Sequence, residues 1–185
     1  MSRTAHRVSL IQRVVSTLDR RGARYAVIGA AAMAAHGVGR STRDVDLLTL
    51  STAGLDEAWW TPLSEVGVRV SVARGDADDP LAGVVRFEQD EERPVDLVVG
   101  RYQWQRRILE RAQPAAVGAT SLPTALERDL VLLKLYAGGS QDAWDIEQLL
   151  AGPNHDPLIA AVAADIDDLP PRCWRLWKRI LDPPG

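Results

Sequence analysis

The chain has 185 residues, of which 46% are hydrophobic and 25% charged, with a formal net charge of −3. That length supports one domain, or a small domain with an appendage, around a real core. The mildly acidic balance excludes a protein that is basic throughout, so any nucleic-acid contact has to come from a local patch.

A single cysteine, Cys173, excludes an internal disulfide framework and fits a reducing cytoplasm. The first twenty-two residues are amphipathic and lack the apolar block and cleavage site of a signal peptide. No run has the length of apolar residues needed to cross a bilayer, so a soluble cytoplasmic protein is expected.

Val8, Ile11, Val14, Val15 and Leu18 recur at helical spacing and predict a surface helix over about Ala5 to Arg21, stopped by Gly22. Tyr25 to Ile28 reads as a short buried strand. Gly29 then opens a helix over Ala30 to His36, closed by Gly37. A polar, basic loop, Val38 to Arg43, leads to a second strand over Asp44 to Leu50. A helical segment broken by Pro62 is expected over Leu55 to Val66, then strands over Val68 to Ala73, Val84 to Glu88 and Pro94 to Val99. A helix over Tyr102 to Gln113 and an extended piece over Ala116 to Thr120 follow. From Pro123 the pattern is helical: one helix begun by the proline and ended by Gly138 and Gly139, a second over QDAWDIEQLLAG, and about two more.

The chemistry concentrates between Tyr25 and Leu50. Side chains alternate faces along a strand, so Asp44 and Asp46 point the same way and Val45 the other. Two carboxylates on so apolar a strand repel one another and lose hydration, which calls for cations beside them. PVDLVVG is another apolar strand with one acid, Asp96. If the two strands are neighbours, three carboxylates converge and offer hard oxygen ligands to divalent ions, the arrangement used in phosphoryl and nucleotidyl transfer. Gly29 and Ala30 sit where a strand meets a helix N-terminus. Small side chains there leave backbone N–H groups open to a phosphate.

Other features read as structural. His36 is a helix cap or packing residue, and the three histidines are too scattered for a zinc site. Asp76, Asp78 and Asp79 belong to a solvated turn, and Asp165, Asp167 and Asp168 to a polar connection. The tail interleaves Trp174 and Trp177 with Arg172, Arg175, Lys178 and Arg179. That pattern would suit a single-stranded nucleic acid, but an amphipathic helix packed by its tryptophans is favoured. Trp59, Trp60, Trp104 and Trp144 are expected in the core or in a groove wall.

In order and spacing, Gly29-Ala30, the gap from Ala31 to Arg43, and Asp44-Val-Asp46 resemble the motif of the nucleotidyltransferase-fold superfamily, with Asp96 in the place of its third carboxylate. AAHGVGRSTRDVDLL is similar to the abortive-infection, toxin-type nucleotidyltransferases and their minimal bacterial relatives. LERDLVLLKLYAGGSQDAWDIEQLL resembles the family's helical motif, with Lys134, Asp142 and Asp145 on its positions. The resemblance spans roughly Arg24 to Leu150. Ala30 departs from the family's usual Gly or Ser, which removes a hydroxyl but keeps the backbone N–H.

The resemblance implies a mixed α/β fold: a small mixed sheet flanked by helices, with a catalytic core over residues 1–120 and a C-terminal helical lobe over residues 121–185. It further implies that Asp44, Asp46 and Asp96 hold two Mg²⁺ ions, or Mn²⁺ in their stead. Asp96 would help deprotonate an incoming hydroxyl. Gly29, Ala30, Arg40, Ser41, Thr42 and Lys134 would bind the NTP, with Arg43 a weaker candidate. Asp142 would orient Lys134 or the acceptor. The activity implied is transfer of a nucleoside monophosphate from an NTP to an RNA or protein hydroxyl, with an antitoxin protein as a partner. The rivals are a small-molecule nucleotidyltransferase of the aminoglycoside type and a non-catalytic nucleotide- or partner-binding module.

Overall fold

In the computed structural model, residues 8–39 and 42–182 are described. Arg40 and Ser41, both expected to bind nucleotide, lie outside the described residues.

Seven strands form one mixed sheet: β1 (Tyr25–Ile28), β2 (Val45–Thr49), β3 (Arg69–Arg74), β4 (Gly83–Glu88), β5 (Val95–Val99), β6 (Gln113–Val117) and β7 (Thr120–Thr124), in the order β3-β4-β5-β2-β1-β7-β6. The centre of the sheet explains the apolar strands. β1 is buried along its whole length, and Leu47, Leu48, Leu97 and Val99 of the neighbouring strands are also buried. A strand covered on both faces gains by being apolar throughout, because every side chain leaves water. β2 runs antiparallel to β1 and parallel to β5. That parallel pair needs a long crossover, which the segment carrying β3 and β4 provides.

Among the described residues, eight α-helices accompany the sheet: α1 (Leu10–Arg20), α2 (Gly29–Ala35), α3 (Thr61–Ser64), α4 (Gln103–Arg111), α5 (Glu127–Ala137), α6 (Ser140–Leu150), α7 (His155–Ala163) and α8 (Pro171–Leu181). α1 buries Leu10, Val14, Val15 and Leu18, the residues whose spacing predicted it. Among the C-terminal helices, α5 packs against α6, α7 and α8, and also touches α2. None of the helices is long and apolar enough to cross a membrane, among the described residues.

Several expectations are corrected. The sheet is larger than expected, because residues 113–124 form the hairpin β6–β7 rather than one extended piece. Its turn holds Gly118 at φ +61°. Pro123 therefore lies in β7, opposite Pro114, and α5 begins only at Glu127. β6 is an edge strand, where the missing N–H of Pro114 is tolerated, and β7 pairs with β1 in register only at Thr124, one residue beyond Pro123. The boundary expected at residue 120 falls on the first residue of β7, which pairs parallel with β1. The helical segment expected over residues 55–66 begins earlier and is made of two 3-10 turns, Thr52–Leu55 and Glu57–Trp60, followed by the four-residue α3. Trp144 is not a core residue: it is 45% exposed, whereas Trp60, Trp104 and Trp177 are buried. Asp165 is not a solvated acid, because Arg107 and Arg111 both bridge to it.

Candidate active site

The parallel pairing of β2 with β5 sets Asp46 directly opposite Asp96. Neighbouring strands lie about 4.8 Å apart, so the two carboxylates leave the same face of the sheet side by side. Antiparallel pairing puts Ile28 opposite Asp46, which carries the β1–α2 turn onto the same spot. Gly29 makes that turn at φ +63°, and a Cβ built on it would lie 2.2 Å from Oδ2 of Asp46. The backbone can approach this carboxylate only because residue 29 has no side chain. Ala30 is buried in the first turn of α2.

Asp44 stands one residue before β2 rather than in it. The Thr42 hydroxyl donates to Oδ1 of Asp44 and to its backbone carbonyl, each at 3.0 Å. The structure thus uses Thr42 to hold Asp44 in a tight turn. Arg43 is exposed.

Sequence reasoning missed Arg86. On β4 it pairs in register with Asp96, and Nη1 donates to Oδ2 at 2.8 Å and to Oδ1 at 3.2 Å. The same nitrogen is 3.9 Å from Asp44, and Nε is 3.4 Å from Glu88. Its signal was a lone arginine at alternating register in GVVRFE, readable only once β4 is known to flank β5. Burial pushes the Asp96 carboxyl above its ordinary value, Arg86 pulls it down, and the charges of Asp44 and Glu88 add to the rise.

Among the described residues, no three carboxylate, histidine or cysteine side chains are grouped as a ready metal cage. The donor chemistry nonetheless fits Mg²⁺. That ion is usually held by one or two carboxylates with the remaining positions filled by substrate phosphates and water. Asp46 and Asp96 supply hard oxygens at adjacent positions.

A cavity of about 330 Å³ opens on this same face. Its floor includes Ile28, Leu48 and Val98, the last two lying one step along their strands from Asp46 and Asp96. α5 walls it with Leu130, Leu133 and Lys134, and Gly29, Asp142 and Arg172 also line it. Such a chamber, largely apolar with few polar groups, is the usual form of a small-molecule site.

Lys134 is only 7% exposed. Its ammonium pairs with the fully buried Asp145 and, at 3.5 Å, with Asp142, whose other oxygen accepts the Gly139 N–H at 3.0 Å. Lys134 is therefore held by two carboxylates at the cavity wall. His36 caps α2 and bonds the Ala125 carbonyl at 2.8 Å, a structural role. In the tail, Trp177 is buried, while Trp174 donates to Asp167 and lies under Lys178.

No family model matches the chain, and no curated protein matches it by sequence. Solved structures do match. ANT(2″)-Ia in complex with adenylyl-2″-tobramycin is 14% identical, over 85% of this chain and 95% of that one, with a TM-score of 0.54. The same antibiotic-resistance factor in solution is 13% identical, over 84% and 88%, with a TM-score of 0.52. TM1012 from Thermotoga maritima, solved as a nucleotidyltransferase candidate, is 14% identical, over 80% and 99%, at 0.50. Identity this low speaks to architecture alone, and on architecture the neighbours agree: this chain has the nucleotidyltransferase fold.

Proposed function

We propose that the chain is a divalent-metal-dependent nucleotidyltransferase that moves a nucleoside monophosphate from an NTP to a hydroxyl of an RNA or protein acceptor. The observation that carries this reading is the in-register pair of Asp46 and Asp96, with Gly29 pressed against the first carboxylate. In this reading the triphosphate lies over Gly29 and Ala30, and the nucleoside enters the cavity toward Leu48 and Val98. Asp46 and Asp96, with Asp44 beside them, would hold two Mg²⁺ ions. Those ions, when bound, supply charge neutralisation for in-line attack at the α-phosphorus. Asp96 is suited to accept the proton of the attacking hydroxyl, because burial already raises its affinity for protons. Lys134, fixed by Asp142 and Asp145, adds a cation at the cavity wall. A protein that covers this mouth, such as an antitoxin, would silence it.

A second reading, transfer to a small polycationic acceptor, draws on a specific observation. Pro80 and Leu81 line the cavity, and the turn before them exposes Asp76, Asp78 and Asp79. Three acids beside the mouth would attract a polyamine-like substrate. The two readings separate by experiment. Each NTP, labelled at the α-phosphate, is incubated with the protein, Mg²⁺ and either total RNA or a panel of aminoglycosides. Label in RNA supports the first acceptor, and label in an aminoglycoside the second. Label in neither, nor in protein, would defeat the transferase reading.

A further inference from the structure

Among the polar groups that line the cavity, Gln105 is one that the phosphate chemistry does not use. Gln105 is 1% exposed and lines the cavity. Its Oε1 accepts the backbone N–H of Arg101 at 3.0 Å and of Tyr102 at 2.9 Å. Two donors on one atom settle which end of the amide is oxygen, since a flipped amide would set N–H groups against N–H groups. Nε2 must then turn away from them, and it has no hydrogen-bond partner among the described residues. The atom keeps some exposure, so this donor opens on the cavity that Gln105 lines rather than being sealed inside the protein.

The cap at the start of α4 does not account for the amide. Gln105 stands three residues after the N-cap Tyr102, where a glutamate would accept the same two N–H groups. Glutamine instead of glutamate leaves a donor where glutamate would leave an acceptor. A Cβ on Gly100 would lie 2.3 Å from Oε1, so the amide rests against the residue just after β5. Asp96 lies four residues earlier, about 13 Å along the strand. An NTP with its phosphates at Asp46 and Asp96 would point the far edge of its base toward Gln105. At that edge guanine and uracil present a carbonyl oxygen, whereas adenine and cytosine present an amino group.

We infer that Gln105 is a specificity-determining residue whose Nε2–H donates to the keto oxygen of the nucleobase, so that the site prefers GTP and UTP over ATP and CTP. The inference rests on the proposed nucleotidyl-transfer reading. An amino group facing the same donor would leave both unpaired, which corresponds to about a tenfold loss of affinity.

Calorimetry with Ca²⁺ in place of Mg²⁺ reads binding without turnover. The wild-type chain should bind GTP and UTP about tenfold more tightly than ATP and CTP. Gln105→Glu keeps both backbone hydrogen bonds but presents an acceptor, and it should abolish or reverse that preference. Inosine triphosphate against ATP, on the wild-type chain alone, tests the same contact without a variant. The two ligands differ at the carbonyl-bearing edge, and inosine triphosphate should bind about tenfold more tightly. Binding of all four NTPs with no keto preference overturns the role of Gln105 and leaves the transferase reading standing. So does a keto preference that Gln105→Glu leaves intact. Absence of binding by every NTP overturns both.

Discussion

Replacing Gly29 with alanine tests how closely the backbone is built against the Asp46 carboxylate. The substitution adds two separable costs. An alanine at φ +63° loses about 1–2 kcal/mol in a left-handed conformation. Its Cβ would also fall 2.2 Å from Oδ2 and 3.1 Å from Cγ of Asp46, so the carboxylate or the turn must shift, at about 1–3 kcal/mol for an overpacked site. Together the loss is about 2–5 kcal/mol. Gly22 supplies the control: it has φ +66° and nothing within 4 Å of an added Cβ, so Gly22→Ala carries the backbone cost alone. Urea unfolding measures both, with the midpoint moving and the slope unchanged. Gly29→Ala should be the less stable variant by about 1–3 kcal/mol. Equal losses within 0.5 kcal/mol, roughly the additivity limit, would refute the close approach.

The other predictions address groups around the site. Arg111 pairs with the fully buried Asp129 and with Asp165, so Arg111→Met should cost about 3–5 kcal/mol by stranding a buried carboxylate. Combining it with Asp129→Leu should recover most of that loss, and no recovery would contradict the pairing. Burial holds the Asp129 carboxyl above its ordinary 3.8, with Arg111 opposing the rise. Only between 3.8 and the raised folded value does the folded chain keep a proton that the unfolded chain has lost. The stability of wild type relative to Asp129→Asn should rise as pH falls through the folded value and level off below 3.8. Arg86→Met removes the cation resident on Asp96, so saturating Mn²⁺ should raise the melting temperature more in the variant than in wild type. An equal or smaller rise counts against competition between arginine and metal. Burial pushes the Cys173 thiol up, so a thiol reagent near pH 8 should label the unfolded chain and spare the native one.

The sequence displays the carboxylates well because they break apolar runs that the centre of the sheet requires. Tyr25–Ile28 and Val95–Val99 are legible as buried strands, and within such strands Asp46 and Asp96 stand out. What local pattern cannot show is adjacency. The facing of Asp46 and Asp96 depends on a crossover between non-consecutive strands, and Arg86 enters the site through a third strand. The hairpin β6–β7 was obscured by its two prolines, which argue against a strand in the interior of a sheet. Gln105 was invisible for another reason: in sequence it is an ordinary cap of α4, and only the cavity behind it gives its free Nε2 a meaning. Lys134 was read as a phosphate contact from family likeness. The structure adds that its charge is already shared by Asp142 and Asp145, so any phosphate would have to compete with them.

In the proposed function Asp46 and Asp96 direct a metal-assisted attack at the α-phosphorus of an NTP. Pyrophosphate release, followed with total RNA and an aminoglycoside panel present and compared between wild type and Asp46→Asn, tests it most directly. Mg²⁺-dependent pyrophosphate is expected from at least one NTP, with α-label but not γ-label retained on the acceptor. Loss of both signals is expected in an Asp46→Asn chain that still unfolds cooperatively. Release of inorganic phosphate instead of pyrophosphate, or undiminished pyrophosphate from Asp46→Asn, would contradict the proposed function.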